Sequence, residues 1–422
     1  MTEIKKVCFV GAGAMGCYNS LIASLAGYQV ALYDISEQTL DLVSERQLNW
    51  APTLVELGVA DQKAIEAASA AIVRTMDPKK AAQNTDLLSE SVFERLELKR
   101  QVHRQFDRWL PPHAIMTTNT STLLLSDIES AVNRGDKFAA MHFHQTTPLV
   151  DIVAGPRTSP ETMEIVKRFV KSQGQTYVVL KKEREGYLHN AMFGGLLATA
   201  LMLAALLDID FKKIDQAWML NQNDQIGPFG LIDGVGLDLV LDIMEENAKR
   251  KEELNPEIRD TVQKFLLAYI ERGDLGMKIG KGFYVYPDPE FQNPDFLSNA
   301  EEDKMLSDPM VSTILSTALT LVAEGFADPQ DVDKSWMLTH NPECGPFGTM
   351  DSMGLDVVKK DLQERAAQLE AMMQNTAEVT EITKIATDFL DSYIQKEKLG
   401  LKTGKGFYCY PNPDYQKPDF LK

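Results

Sequence analysis

Six histidines are spread over the 422-residue chain, and three of them, His142, His144 and His189, fall between its first, strand-rich part and a later helical part. A neutral imidazole near pH 7 can take a proton from an alcohol or return one to a carbonyl. A carboxylate at its other ring nitrogen would orient the ring and stabilise the imidazolium that forms, and Asp151 is the acid at hand. Three other readings stay open. A histidine at a strand end is often structural. His142 and His144 would share one face of a strand, so with Asp151 they form a weak HxH-plus-carboxylate metal pattern, although no further ligand cluster is evident and no metal is expected. Asp151 can also be an ordinary loop carboxylate. His103 and His113 fall in a helix and a turn and are expected at the surface.

A hydride acceptor must accompany such a base. Gly11-Ala12-Gly13-Ala14-Met15-Gly16 is a GxGxxG loop that follows an apolar strand and opens a helix. Gly11 suits the tight turn, Gly13 a close approach to a pyrophosphate, and Gly16 close packing of helix on strand. The helix start offers unpaired N–H groups and a positive dipole to phosphate. Asp34 ends the next strand, where it can accept hydrogen bonds from both adenine-ribose hydroxyls. It would repel a 2′-phosphate, and Ile35-Ser36 offers no arginine to neutralise it, so NAD is favoured over NADP. The plainer reading is that Asp34 only begins a turn with Ser36.

These residues need a frame. Val7–Val10, Val30–Tyr33, Ala71–Arg74, Leu87–Val92, Ala114–Thr117 and Phe138–Phe143 read as strands separated by helical patterns, which implies a parallel sheet covered on both faces. After about residue 184 helices dominate and an internal repeat appears. Residues 214–238 are answered by 332–356: Trp218 by Trp336, Gly227–Gly230 by Gly345–Gly348, and Asp233 by Asp351. Residues 275–297 are answered by 399–421. The expected fold is α/β: a Rossmann-type doubly wound sheet (1–183) followed by two homologous all-α domains (184–298 and 299–422), with 298–309 as the linker.

Composition sets the class. Hydrophobic residues make up 44% and charged residues 25%, ordinary for a globular protein, and the net charge of −18 argues against a nucleic-acid partner. The longest apolar stretch, Ala191–Leu207, is read as a buried helix with no membrane partner. Four cysteines without a CxxC pair, and an N-terminus without a signal-peptide layout, suggest a reducing, cytoplasmic setting.

With these landmarks in order, the sequence resembles the 3-hydroxyacyl-CoA dehydrogenase family. The resemblance rests on the glycine loop, Ser91–Glu94 with Lys99, Asn119-Thr120-Ser121, His142-Phe143, Gly186–Asn190, Gly227–Gly230, and Lys278 through Phe283-Tyr284. It implies His142 as the catalytic base, Ser121 and Asn190 near the reacting oxygen and the imidazole, and Glu94, Lys99, Ser121 and Lys278 at the nicotinamide end. From the residues alone, Ser121 can be a turn or helix cap, Asn190 can make a core hydrogen bond, and Lys278 can cap a helix end. The chain departs from the family pattern at Gln145, where asparagine is usual, and at Leu149-Val150-Asp151, where a glutamate is usual and comes about three residues later. The resemblance also implies that the second helical module acts as a built-in partner for the first, in a monomer with an internal pseudo-dimer or in a homodimer. The first functional reading is NAD-dependent oxidation of a 3-hydroxyacyl-CoA, with Lys79, Lys80, Lys99 and Arg100 as basic candidates toward CoA. The second is a dehydrogenase of a small hydroxy acid without CoA. The third is a non-catalytic NAD-binding sensor or assembly protein.

Overall fold

The computed structural model describes residues 3–250, 256–298, 300–372 and 377–422. The chain divides into two units, one formed by 1–188 with 325–339 and 418–422, the other by 189–324 with 340–417. The sequence suggested three domains, 1–183, 184–298 and 299–422. Most of both helical modules lies in the second unit, while 184–188, 325–339 and 418–422 belong to the first.

The first unit holds an eight-stranded sheet: β1 (Lys6–Val10), β2 (Gln29–Tyr33), β3 (Val73–Thr75), β4 (Leu87–Glu90), β5 (Ile115–Thr118), β6 (Phe138–Phe143), β7 (Leu149–Ala154) and β8 (Thr176–Leu180). Its order is β3-β2-β1-β4-β5-β6-β7-β8. The first six strands run parallel in the doubly wound order, so their carboxyl ends share one edge of the sheet, and the order switches between β1 and β4. Apolar runs such as VCFV in β1 are buried throughout because helices cover both faces. Each fully buried side chain of this kind, Phe9 or Leu32, contributes about 1.5–3 kcal/mol.

Two strands escaped the sequence reading. Leu149–Ala154 is not a loop but β7, antiparallel to β6, and β8 pairs with β7 in parallel. His103 is also not at the surface. It is fully buried on α1 (Leu96–Asp107), together with Lys99, Phe106 and Asp107. Their spacing of i, i+4, i+7 and i+8 marks one inward stripe, three of its four members polar.

In the second unit, α2 (His189–Leu207) packs on α3 (Lys304–Ala323). The threonine hydroxyls of Thr199 and Thr313 meet at 3.0 Å, and Gly195 lies so close that a Cβ there would sit 2.8 Å from the Thr313 methyl. Both helices are long and apolar enough to cross a membrane by length and composition. The expected linker is shorter than 298–309, because residues from Lys304 onward, Pro309 included, are already helix, capped by Asp303.

The repeat is built from the same bonds twice. Asp233 accepts from the amides of Phe283 and Tyr284 at 2.8 Å and from the Tyr286 hydroxyl at 3.1 Å. Asp351 does the same for Phe407 and Tyr408 at 2.9 Å and Tyr410 at 3.1 Å. The glycines follow from this brace. Gly276 and Gly400 have φ of +105° and +90°, and a Cβ would fall 2.4 and 2.2 Å from the carbonyl oxygens of Asp233 and Asp351.

Candidate active site

Residues singled out in the sequence gather along the carboxyl edge of the parallel strands. The glycine loop follows β1, Asp34 follows β2, Glu94 follows β4, Ser121 follows β5, and His142 is the last residue but one of β6.

The glycine loop is shaped for a dinucleotide. A Cβ on Gly16 would fall 1.7 Å from the Gly11 carbonyl oxygen, and one on Gly11 would fall 2.7 Å from the Ser91 oxygen, so the turn admits only glycine there. Gly13 has open space instead. The helix Ala14–Leu25 begins with exposed Ala14 and half-buried Met15, with no side-chain cap and no acid in its first turn. Its first amides are therefore available to a pyrophosphate. Asp34 takes both of the roles weighed for it. Oδ1 accepts from Ser36 N at 3.0 Å, closing the local turn, and Oδ2 accepts from Ala12 N at 2.8 Å, fixing the loop. Each oxygen retains a lone pair for a ribose hydroxyl. One residue of this site was missed: Arg46 donates to the Ala12 carbonyl at 2.8 Å. It lies 34 positions away with no local signal. Asp34→Asn keeps an acceptor for Ala12 but loses the charge. NAD affinity measured by titration calorimetry should fall about 10–100-fold, as for a lost charge-assisted hydrogen bond, and the preference over NADP should narrow. Undiminished discrimination would place the selecting group elsewhere.

Glu94 organises the Ser121 loop. Its Oε1 accepts from the Thr120 hydroxyl at 2.5 Å and from the amides of Ser121 and Thr122 at 2.9 Å. Lys99 is 1% exposed, and its ammonium contacts Glu90 at 2.8 Å and Glu94 at 3.2 Å. It is therefore not placed to contact CoA directly, and it steadies Glu94 and the Val92 carbonyl instead. Glu90 is buried, which alone would raise its pKa, but Lys99 and His103 bring it down to about 2. Arg100 is engaged by Glu97 and the Asp127 carbonyl, while Lys79 and Lys80 remain exposed.

The decisive geometry is in the β6–β7 hairpin. Its register sets His142 directly opposite Asp151, and His142 Nδ1 donates to Asp151 Oδ2 at 2.9 Å. His144 Nε2 donates to the same oxygen at 2.8 Å. Asp151 is fully buried and His142 nearly so. The shorter hairpin and the shorter acid thus compensate each other, since a slip of one residue would turn Asp151 to the opposite face. Burial lowers the pKa of His142 first and the field of His144 lowers it further, against the pull of Asp151. Burial alone would raise the Asp151 carboxyl, but His144 and the hydrogen bonds from both imidazoles hold it well below the usual carboxylate range. The neutral imidazole, with its Nδ1 proton on Asp151, leaves an Nε2 lone pair able to accept a proton. His142, His144 and Asp151 are also the group whose ligand atoms lie within 4.8 Å of one another.

A family model described as 3-hydroxyacyl-CoA dehydrogenase, NAD binding domain, matches residues 6–184. One described as 3-hydroxyacyl-CoA dehydrogenase, C-terminal domain, matches 186–286 and 306–410. The chain belongs to the 3-hydroxyacyl-CoA dehydrogenase family. It is an NAD-dependent oxidoreductase. Among its relatives, the mitochondrial hydroxyacyl-coenzyme A dehydrogenase of Mus musculus is 30% identical over 294 residues, 67% of this chain and 91% of the relative. A diketoreductase structure, described for substrate-directed dual catalysis of dicarbonyl compounds, is 31% identical with a TM-score of 0.62, covering 68% of this chain and all of the other. The 3-hydroxybutyryl-CoA dehydrogenase of Escherichia coli K12 shares the fold, with a TM-score of 0.76 and 20% identity over 92% of this chain and 100% of the other.

Two residues implied by the family likeness belong to the second unit. Asn190 lies in the first turn of α2, its Oδ1 3.3 Å from His189 Nδ1. Lys278 pairs with Asp238 at 2.5 Å, and its repeat counterpart Lys402 pairs with Asp356. A bond made in both modules supports the structural reading of Lys278, as a residue that pins a helix start, over the place at the nicotinamide end that the likeness implies.

Proposed function

We propose that this chain oxidises a 3-hydroxyacyl-CoA to the 3-oxoacyl-CoA, reversibly. NAD supplies the hydride acceptor at the glycine loop. His142 Nε2 takes the substrate hydroxyl proton, and Asp151 steadies the resulting imidazolium from Nδ1. Glu94 shapes the Ser121–Thr122 turn that faces the same edge. The observation that carries this reading is the 2.9 Å His142–Asp151 bond at the carboxyl end of β6, on the edge that holds the glycine loop.

A second reading is supported by the diketoreductase likeness and by the engaged Lys99 and Arg100: the substrate is a small hydroxy or dicarbonyl compound without CoA. The sensor reading required Asp151 to be out of reach of His142, and that condition fails. We also infer a monomer in which the second module stands in for a second subunit, in a reducing, cytoplasmic compartment that suits four free cysteines.

Following NADH absorbance over hydroxyacyl-CoAs and matched free hydroxy acids tests the assignment. Turnover of the CoA esters supports it, and turnover confined to the free acids or dicarbonyls selects the second reading. The pH profile is a further expectation. Because the pKa of His142 is lowered, the base is neutral down to a lower pH than an ordinary imidazole. In the oxidative direction kcat/KM should rise through a midpoint below about 6.5 and then stay level, whereas the reductive rate should fall across that midpoint. A rise centred above that value would contradict the buried setting.

A further inference from the structure

Gly186 and Tyr187 adopt left-handed backbone in succession, with φ of +74° and +44°. That is a rare and strained conformation for an aromatic residue. It is fixed from two sides, by Gly186 N donating to the Ser121 carbonyl at 3.1 Å and by the Arg184 guanidinium donating to the Tyr187 carbonyl. The turn delivers a ring that is 1% exposed, 5.2 Å between centroids from His142 and tilted by 48°. Packing against an imidazole asks only for phenylalanine.

The hydroxyl is what packing leaves unexplained. It is buried and has no hydrogen-bond partner among the described residues, and the charges acting on it most strongly are Asp151, then Glu94, then Glu183. Asp151 carries the complement. Its Oδ2 takes both imidazole donors, while its Oδ1 is buried without a partner. Buried polar groups are nearly always paired, and a buried donor and a buried acceptor that both lack partners, on side chains that flank the same imidazole, are an unfavourable arrangement.

We propose that Tyr187 is a positioning residue of the dyad, whose hydroxyl donates to the Oδ1 edge of Asp151 through one enclosed water. With both oxygens engaged, the carboxylate plane cannot turn about Cβ–Cγ, and the His142 ring keeps its Nε2 in one direction. The bond also withdraws negative charge from Asp151, so the carboxylate holds the imidazole proton less firmly. His144 just after β6, Asp151 on β7, Glu94 after β4 and Glu183 after β8 are the other titratable groups acting around His142 and Tyr187.

Tyr187→Phe tests the role in the full chain. The proposal rests on the dehydrogenase reading for its kinetic arm only. That arm should show kcat lower by about tenfold, the worth of one hydrogen bond, with KM for NAD unchanged and the acid limb of kcat/KM moved to higher pH. The second arm needs no substrate: the His142 imidazole, followed by NMR through a pH titration, should titrate at higher pH in the variant. An unchanged NMR midpoint, with thermal stability equal to or above that of the parent, overturns the proposal, because removing an idle buried hydroxyl is neutral or stabilising.

Discussion

His142→Gln is expected to lower kcat by about 10²–10⁴-fold, the usual worth of a positioned general base. Glutamine is the informative replacement because Asp151 is buried and accepts from two imidazoles. Alanine would leave that carboxylate with His144 alone and add a structural penalty of about 1–3 kcal/mol for the lost partner. An amide can still donate to Oδ2, so the loss of rate reports the missing base. NAD affinity should be unchanged, since the glycine loop and Asp34 are held by their own bonds to Ser36, Ala12 and Arg46. The check is steady-state kinetics beside calorimetric binding of NAD. A variant with more than a tenth of the parental kcat would remove His142 from its role.

Asp151→Asn should cost a comparable factor, about 10²–10⁴, by a different route. The carboxylate fixes which nitrogen of His142 carries the proton, and a neutral amide can present its NH2 group and reverse that tautomer. The sign of the accompanying pH effect follows from the charges. Asp151 raises the pKa of His142, so removing its charge lowers that pKa further and moves the acid limb to lower pH. This is opposite to the direction expected for Tyr187→Phe, and the pair of variants separates loss of the carboxylate charge from loss of a donor to it. Asp151→Glu, which restores the acid usual in the family, should not match the parent. At a fully buried position with 2.8 and 2.9 Å contacts, an added methylene forces displacement worth about 1–3 kcal/mol. Full activity of the asparagine variant would make Asp151 a bystander.

Much of the frame was legible because it is local. The GxGxxG loop and Asp34 announce themselves by spacing, and the alternation of strand and helix patterns reveals the parallel sheet. The repeat is visible as paired blocks whose aspartates and glycines reappear as the braces around Asp233 and Asp351. What stayed hidden depends on distant partners. β7 reads as a loop because LVDIVA carries a charge in its middle, and only the hairpin register turns that charge toward His142. Lys99 and His103 look like surface residues because pattern reading counts apolar positions, whereas their stripe is buried around Glu90. That acid, in a strand with no polar face, was the available signal, because a buried carboxylate requires cationic or hydrogen-bonding company. Arg46 and Tyr187 reach their places through the fold alone.

The paired helices α2 and α3 carry a consequence for how the chain can vary. Where two copies of one polypeptide meet across a twofold axis, every substitution is made twice and each surface must complement itself. Here the two surfaces are written in separate stretches of one gene product, so each half can drift alone. The meeting of Gly195 on α2 with the methyl of Thr313, 118 positions on in α3, shows two sides that are not copies. Their association is also independent of dilution, because the tether fixes a local concentration that no change in expression level can alter.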